Sequence, residues 1–207
     1  GSGGAGHAQR KGRGVLKETT RVVWAMCGSF CTFEKTLHVM EGMIRDGAQV
    51  LPLMSFNAAG LDTRFGTAES WKRKLADVTG SRPIETLQGA GPLGPQNMAD
   101  AMIVAPCTGA TLAKLAAGIS DTPVTLGVKS MLRGAKPVVL AVSTNDGLSA
   151  SLENLAKLLN RKNYYLVPFA QDDYLKKPTS LQSDFSLIAD TLECALRGRQ
   201  LQPVLSE

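Results

Sequence analysis

Along this chain, short runs of consecutive apolar residues alternate with stretches whose apolar residues recur every three or four places. From Thr20, the segment TTRVVWAMCG is β-branched and apolar up to a glycine, which predicts a strand buried on both faces. TFEKTLHVMEGMIRDG then sets Phe33, Leu37, Met40 and Ile44 on one helical face, with Thr32 placed to cap its start and Gly47 to end it. AQVLPLMSF predicts a second strand, and residues 57–66 (NAAGLDTRFG) a loop before a helix through Trp71, Leu75 and Val78. SRPIETLQGAGPLGPQNM has no clear period and is expected to be irregular. The pattern continues as a strand near 100–105, helices from about 110 and near 123–133, a strand at 137–142 and a helix near 151–160. A strand at 163–167 and a terminal helix near 181–197 complete it.

Strands too apolar to leave a face in water, alternating with helices, predict a doubly wound three-layer α/β domain with a parallel, Rossmann-like sheet. At 207 residues the chain is long enough for one sizeable core. We expect a leader over residues 1–18 and a single domain over 19–207. The leader's GSGGAGHAQRKGRG has no apolar core region. It is therefore neither a secretory signal nor a membrane anchor, and is expected to be a flexible extension or an expression remnant.

Composition narrows the function classes. The formal charge is +5, but Arg10, Lys11 and Arg13 stand in the first fourteen residues, which hold no acid, so the remainder carries +2. Its Lys and Arg alternate with acids along solvent faces, which argues against a nucleic-acid partner. No run approaches the ~18 apolar residues of a membrane helix, and a cytoplasmic protein is expected. Cys27, Cys31, Cys107 and Cys194 include no C-x-x-C pair, and no second Cys or His pair stands at zinc spacing, so free thiols and no metal are expected.

In doubly wound sheets, ligands bind beyond the carboxyl ends of the strands. Four such ends here finish in small polar residues. After the first strand, Gly28, Ser29 and Thr32 suit either a phosphate at a helix start or an ordinary capped turn. After the second come Ser55 and Asn57. After the third, IVAPCTGATLAKLAAG presents Thr108, Gly109 and Thr111, and after the fourth stand Ser143, Thr144 and Asn145. One binding crevice explains all four together. The dinucleotide fingerprint G-x-G-x-x-G and the Walker lysine pattern are both absent. His38 is expected on a solvated helix face, Cys107 is either a packed or an activated thiol, and Asp62 and Arg64 are either an exposed ion pair or, for Arg64, a carboxylate ligand.

The motifs GSFCTFE, APCTGATLAKLAAGISDTPV and STND resemble a family of oligomeric flavoproteins that includes cysteine decarboxylases, a flavin prenyltransferase and the B subunits of dipicolinate synthase. The match covers Thr20 to Val204, and SFNAAGLDTRFG with VPFAQDDYLKKPTSL is most like the last branch. The resemblance implies FMN in the crevice, with Gly28, Ser29 and the turn of Pro106, Thr108, Gly109, Ala110 and Thr111 around its phosphate and Ser55 and Ser143 nearer the ring. It implies oxidation of a dihydropyridine dicarboxylate to pyridine-2,6-dicarboxylate together with a nicotinamide-binding A subunit. Asp62, Thr63, Arg64, Asn145 and Asp146 would face that small dianionic substrate, and no acid or base is assigned. It further implies a homo-oligomer in the mother cell of a spore-forming bacterium. Two alternatives stand beside it: a decarboxylase or prenyltransferase relative, and a non-catalytic flavin-binding scaffold. Three departures bear on these. Ala110 stands where family members often have Asn, the decarboxylase histidine is not matched near Asp62 to Gly66, and the prenyltransferase arginine near AVSTND is absent.

Overall fold

The computed structural model describes residues 20–206; the leader expected over residues 1–18 lies outside them. The first strand, β1 (Arg21–Met26), is followed by α1 (Phe33–Arg45), β2 (Gln49–Met54), α2 (Phe56–Gly60), α3 (Ala68–Thr79) and α4 (Leu87–Ala90). Next come β3 (Ala101–Cys107), α5 (Gly109–Ala117), α6 (Pro123–Arg133), β4 (Val138–Thr144) and α7 (Ala150–Leu159). Three short strands, β5 (Tyr164–Leu166), β6 (Phe169–Gln171) and β7 (Leu181–Ser183), precede α8 (Ile188–Leu196).

Five strands run parallel in the order β2-β1-β3-β4-β5. Chain order reverses between β1 and β3, so α1 and α3 lie against one face of the sheet and α5, α6 and α7 against the other. Burial follows this winding residue by residue. Val22, Trp24 and Met26 of β1 join Phe33, Met40, Trp71, Leu75, Ile188 and Leu192 in one apolar layer. The intervening Val23, Ala25 and Cys27 join Leu112, Val128, Met131, Leu155 and Leu158 in the other. Both sets of side chains need an apolar neighbour, which is why the strands show no polar alternation.

Four expectations are corrected. Thr32 does not cap α1, because its hydroxyl donates to the Ser29 carbonyl (2.7 Å) inside a 3₁₀ turn over Phe30–Thr32. The loop expected from residue 57 contains α2, whose start is capped by Ser55 accepting from the Ala58 amide (3.1 Å). The segment expected to be irregular forms α4 and a 3₁₀ turn, Gly91–Leu93. The terminal helix begins at Ile188 and not near 181. Residues Leu181–Ser183 instead pair antiparallel with Ser143–Thr144 and with Phe169–Gln171, and the Ser183 hydroxyl bridges the Val142 amide and the Val167 carbonyl. An antiparallel pair is thus added beside the carboxyl end of β4. Asp184 then restarts the helical turn by accepting from the Ser186 amide (3.0 Å).

Two glycines one turn apart test the packing between α4 and α6. A Cβ on Gly94 would lie 2.1 Å from the Ser130 carbonyl oxygen, whereas one on Gly91 would meet nothing within 4 Å. Gly94→Ala is expected to destabilise the fold by about 1–3 kcal/mol through backbone displacement. Gly91→Ala, at a helical φ of −55°, is expected to be neutral or to stabilise by about 0.4–1 kcal/mol. Urea unfolding midpoints of the two variants check both.

Candidate functional site

Because chain order reverses between β1 and β3, the connections leaving these strands part to opposite faces and open a crevice at their carboxyl ends. The Cys27 amide donates to the Pro106 carbonyl (3.1 Å), which ties β1 to β3 at the crevice floor. Pro106 follows a cis peptide bond and is buried, within a stretch where the β3–β4 register shifts between Val104 and Cys107. It shapes the floor through its backbone.

Above that floor the Ser29 and Ser143 hydroxyls lie 3.0 Å apart. This bond joins the turn after β1 to the end of β4, across the β3–α5 turn between them. Gly28 lets the first turn come close to α2, since a Cβ there would lie 3.3 Å from Asn57 Cβ. Thr108 caps α5, its hydroxyl accepting from the Thr111 amide (3.4 Å). The first amides of α5 have no intrahelical acceptor and carry the positive end of the helix dipole. Ala110, exposed in that first turn, adds only a methyl group.

Thr111 faces inward. Its hydroxyl is buried and engaged with the Cys27 thiol (3.2 Å) and the Thr108 hydroxyl (3.3 Å), so it shapes the turn without reaching the crevice. Burial pushes the Cys27 and Cys107 thiols upward, which keeps both protonated and makes Cys107 a packed thiol. Gly109 has a packing role as well. A Cβ there would come within 2.8 Å of the Thr144 hydroxyl, the Asp146 carboxylate and the Ser151 hydroxyl. Only glycine lets α5 approach the end of β4 this closely.

Asp146 organises that contact. Its Oδ1 accepts from the Thr144 hydroxyl and from the Ser151 hydroxyl (2.7 Å), and these bonds hold its carboxyl below the ordinary carboxylate value. The Asn145 carbonyl accepts from the Thr179 hydroxyl (2.6 Å), fastening the segment before β7 to the same turn.

The loop before α3 is a second polar turn. Asp62 accepts from the Ala68 amide (2.8 Å) and so holds the start of α3. Thr63 and Gly66 exchange two backbone bonds of 3.0 Å, which leaves Arg64 and Phe65 at the tip of a tight turn. Arg64 is exposed, 4.8 Å from the Phe65 ring centroid, and no ion pair among the described residues includes it. Of the two readings open for Asp62 and Arg64, the ion pair is not formed: Asp62 holds a helix start, and Arg64 pairs with no acid among the described residues. His38 is exposed on α1, as expected of a solvated position.

Ser29, Ser143 and the amino end of α5 are thus brought together, while Thr111, Gly109 and Asp146 support them from behind. Sequence reasoning missed the Asp146–Thr144–Ser151 cluster. Its signal was TNDGLSAS, a strand end followed by an acid and two hydroxyls at the start of a helix. It also missed Trp71, whose indole N–H is the one buried side-chain nitrogen without a partner among the described residues.

A crevice of hydroxyls and helix-start amides at the switch point of this parallel sheet defines a flavoprotein fold, and the chain belongs to the Flavoprotein family, whose profile matches residues 13–182. Within that class the chain is similar to the dipicolinate synthase B subunit of Bacillus subtilis (strain 168). The two are 41% identical over 187 residues, covering 90% of this chain and 94% of the relative. The crystal structure of the dipicolinate synthase B subunit from Bacillus halodurans C superposes with a TM-score of 0.83 at 38% identity, covering 91% of this chain and 96% of that one. An FMN-dependent cysteine decarboxylase, SpaF, gives a TM-score of 0.64 at 25% identity, covering 85% and 97%. The family resemblance read from GSFCTFE and APCTGATLAKLAAG is borne out.

Asp146 carries a pH dependence whose direction is fixed by its lowered folded value. Its hydrogen bonds stabilise the fold above the unfolded carboxylate value of ~3.9, and that contribution is lost as the pH falls through the lower folded value. The gap in melting temperature between the wild type and Asp146→Asn is therefore expected to hold from pH 7 to 5 and to narrow at more acid pH. Thermal melts across that range check it.

Proposed function

We propose that this chain works as the FMN-binding subunit of a dipicolinate synthase, aligning a dihydropyridine dicarboxylate for oxidation to pyridine-2,6-dicarboxylate with a nicotinamide-binding A subunit. The observation that carries the reading is the crevice itself, on a chain similar over nine-tenths of its length to a dipicolinate synthase B subunit. The residues fit the cofactor. Phosphate needs donors and no facing free carboxylate, and the amino end of α5 with Ser29 and Ser143 meets that need. Asp146, the one acid in that wall, already accepts from two hydroxyls.

When bound, a flavin supplies a hydride or electron acceptor. Aromatising a dihydropyridine removes one hydride and one proton from the ring. This chain's share is binding and orientation. Ser29, Ser143 and the first amides of α5 hold the phosphate side, and Ser55 at the end of β2 approaches the ring side. Arg64 meets a substrate carboxylate through paired charge-assisted hydrogen bonds, its guanidinium being paired with no acid among the described residues. Asn145 borders the same space. Thr63 sets the turn that presents Arg64, and Asp62 steadies it through α3.

The carboxylates near the crevice, Asp62 and Asp146, are both engaged in holding the fold, and the thiols of Cys27 and Cys107 are buried and raised. This supports a division of labour in which proton transfer falls to solvent or to the A subunit. It also favours one second reading, a flavin-binding scaffold that activates the A subunit without chemistry of its own.

Turnover of dihydrodipicolinate by the chain mixed with the A subunit and a nicotinamide cofactor tests the assignment. Arg64→Ala is expected to raise KM about tenfold or more, from the loss of a charge-assisted contact of about 1.5–3 kcal/mol. Unchanged kinetics in that variant would remove Arg64 from the site. Full activity after flavin is stripped would favour the scaffold.

A further inference from the structure

At the end of the sheet opposite the crevice, a cavity of about 480 Å³ opens between α5, α6 and the turn from α7 into β5. The function proposed above uses none of it. Its position follows from the winding. α5 leaves the carboxyl end of β3 and descends to Gly118, while Asn163 and Tyr164 lead into β5 beside Val138, the first residue of β4. β4 has seven residues, so at ~3.3 Å per residue the groove lies about 20 Å from the Ser143 end.

The floor is apolar. Leu115 and Val128 are buried beneath it, Leu132 is half-buried, and Ile119 stands at its lip with 47% of its surface exposed. The rim is cationic, carrying Lys129, Arg133, Arg161 and Lys162, and among the described residues no Asp or Glu lines the cavity. Asp121, next in sequence to Ser120 of the lining, is already paired with Lys114 at 2.9 Å.

One of the four cations is fixed in place. Arg161 donates to the Leu115 and Ala116 carbonyls (3.1 and 2.6 Å), closing the carboxyl end of α5. A guanidinium has five N–H donors, so several remain after these two bonds. Lys129, Arg133 and Lys162 engage no acid among the described residues. Burial pushes the Tyr164 hydroxyl up to about 12, so it stays a neutral donor at the back of the groove.

Four like charges around an apolar floor repel one another across a short distance, and a ligand that brings negative charge relieves them. The open shape and apolar floor suit one or two side chains from an extended segment, with carboxylates reaching the rim. We propose that this groove is the docking site for an acidic, apolar-anchored segment of the nicotinamide-binding partner subunit. The inference rests on the functional reading above, which names that partner. Docking here leaves the crevice at the other end of the sheet open to substrate.

The test is biolayer interferometry of the full-length chain against the purified A subunit, at two salt concentrations. Lys129→Glu/Arg133→Glu is expected to weaken binding at least tenfold at low salt and to flatten its salt dependence, with an unchanged melting temperature and unchanged FMN uptake. Arg73→Glu, a charge reversal on exposed α3, is expected to bind as the wild type does. Unchanged affinity in the double variant would overturn the proposal while leaving the functional reading intact. Loss of self-association at unchanged A-subunit affinity would overturn it too, assigning the face to a second copy of this chain. No binding by the wild type at either salt concentration would count against the functional reading as well.

Discussion

The Asp146 carboxylate, gripped by the hydroxyls of Thr144 and Ser151, stands so near Gly109 that a Cβ there would come within 2.8 Å of all three side chains, and this close approach sets the distance between α5 and the end of β4. With any side chain at Gly109, α5 would have to draw back from the end of β4. With α5 drawn back, Thr108 and the free helix amides would leave the space that Ser29 and Ser143 define. A partly buried network thus governs the geometry of the crevice, which makes Asp146 and Gly109 positioning residues. Two antiparallel strands reinforce the arrangement. β7 pairs with Ser143 and Thr144, and Thr179 holds the Asn145 carbonyl, so the turn carrying Asp146 is fastened from outside as well as from within.

The winding of the sheet supplies the rest. Alternate residues of β1 enter opposite apolar layers, and reversal of chain order beside β1 sends its helix to one face and that of β3 to the other. Helix starts therefore converge where the strands end, and backbone amides become available there without any charged side chain. This explains how a crevice suited to an anion needs no lysine of its own. Cations are concentrated instead at the far end of the sheet, around the groove under α5 and α6, where the proposed macromolecular contact lies. The proposed crevice and the proposed docking groove are separated by the length of β4.

Much of this is legible in the sequence because the controlling signals are local. The apolar runs of β1, β3 and β4 are bounded by glycine, proline or small polar residues, and α1, α3, α6 and α7 show regular apolar spacing, so their order and the doubly wound class can be read directly. The convergence of Ser29, Thr108 and Ser143 follows from the topology that this order implies. What escapes depends on long-range pairing. The apolar spacing of LQSDFSLIADTL predicts helix from residue 181, yet Leu181–Ser183 pairs with the end of β4, where Ser183 bridges two backbone groups. Asp62 and Asp146 resemble substrate contacts because an acid in a polar turn suggests solvent. Their partners are Ala68 in one case and Thr144 and Ser151 in the other, and only folded geometry reveals that these bonds already use the carboxylates. Thr111 misleads for a related reason, since a hydroxyl one turn into a helix turns back to the Cys27 thiol.

The amino end of α5, with Ser29 and Ser143, is central to the proposed function as the binding place for the phosphate of a flavin mononucleotide. The most direct measurement is the ratio of FMN to riboflavin affinity, by quenching of flavin fluorescence, in the wild type and in a Ser29→Ala/Ser143→Ala variant. The wild type is expected to bind FMN at least tenfold more tightly than riboflavin and the variant to narrow this ratio, about 1.4 kcal/mol corresponding to each factor of ten. Equal affinity for the two flavins in the wild type, or a ratio unmoved by the variant, would contradict it.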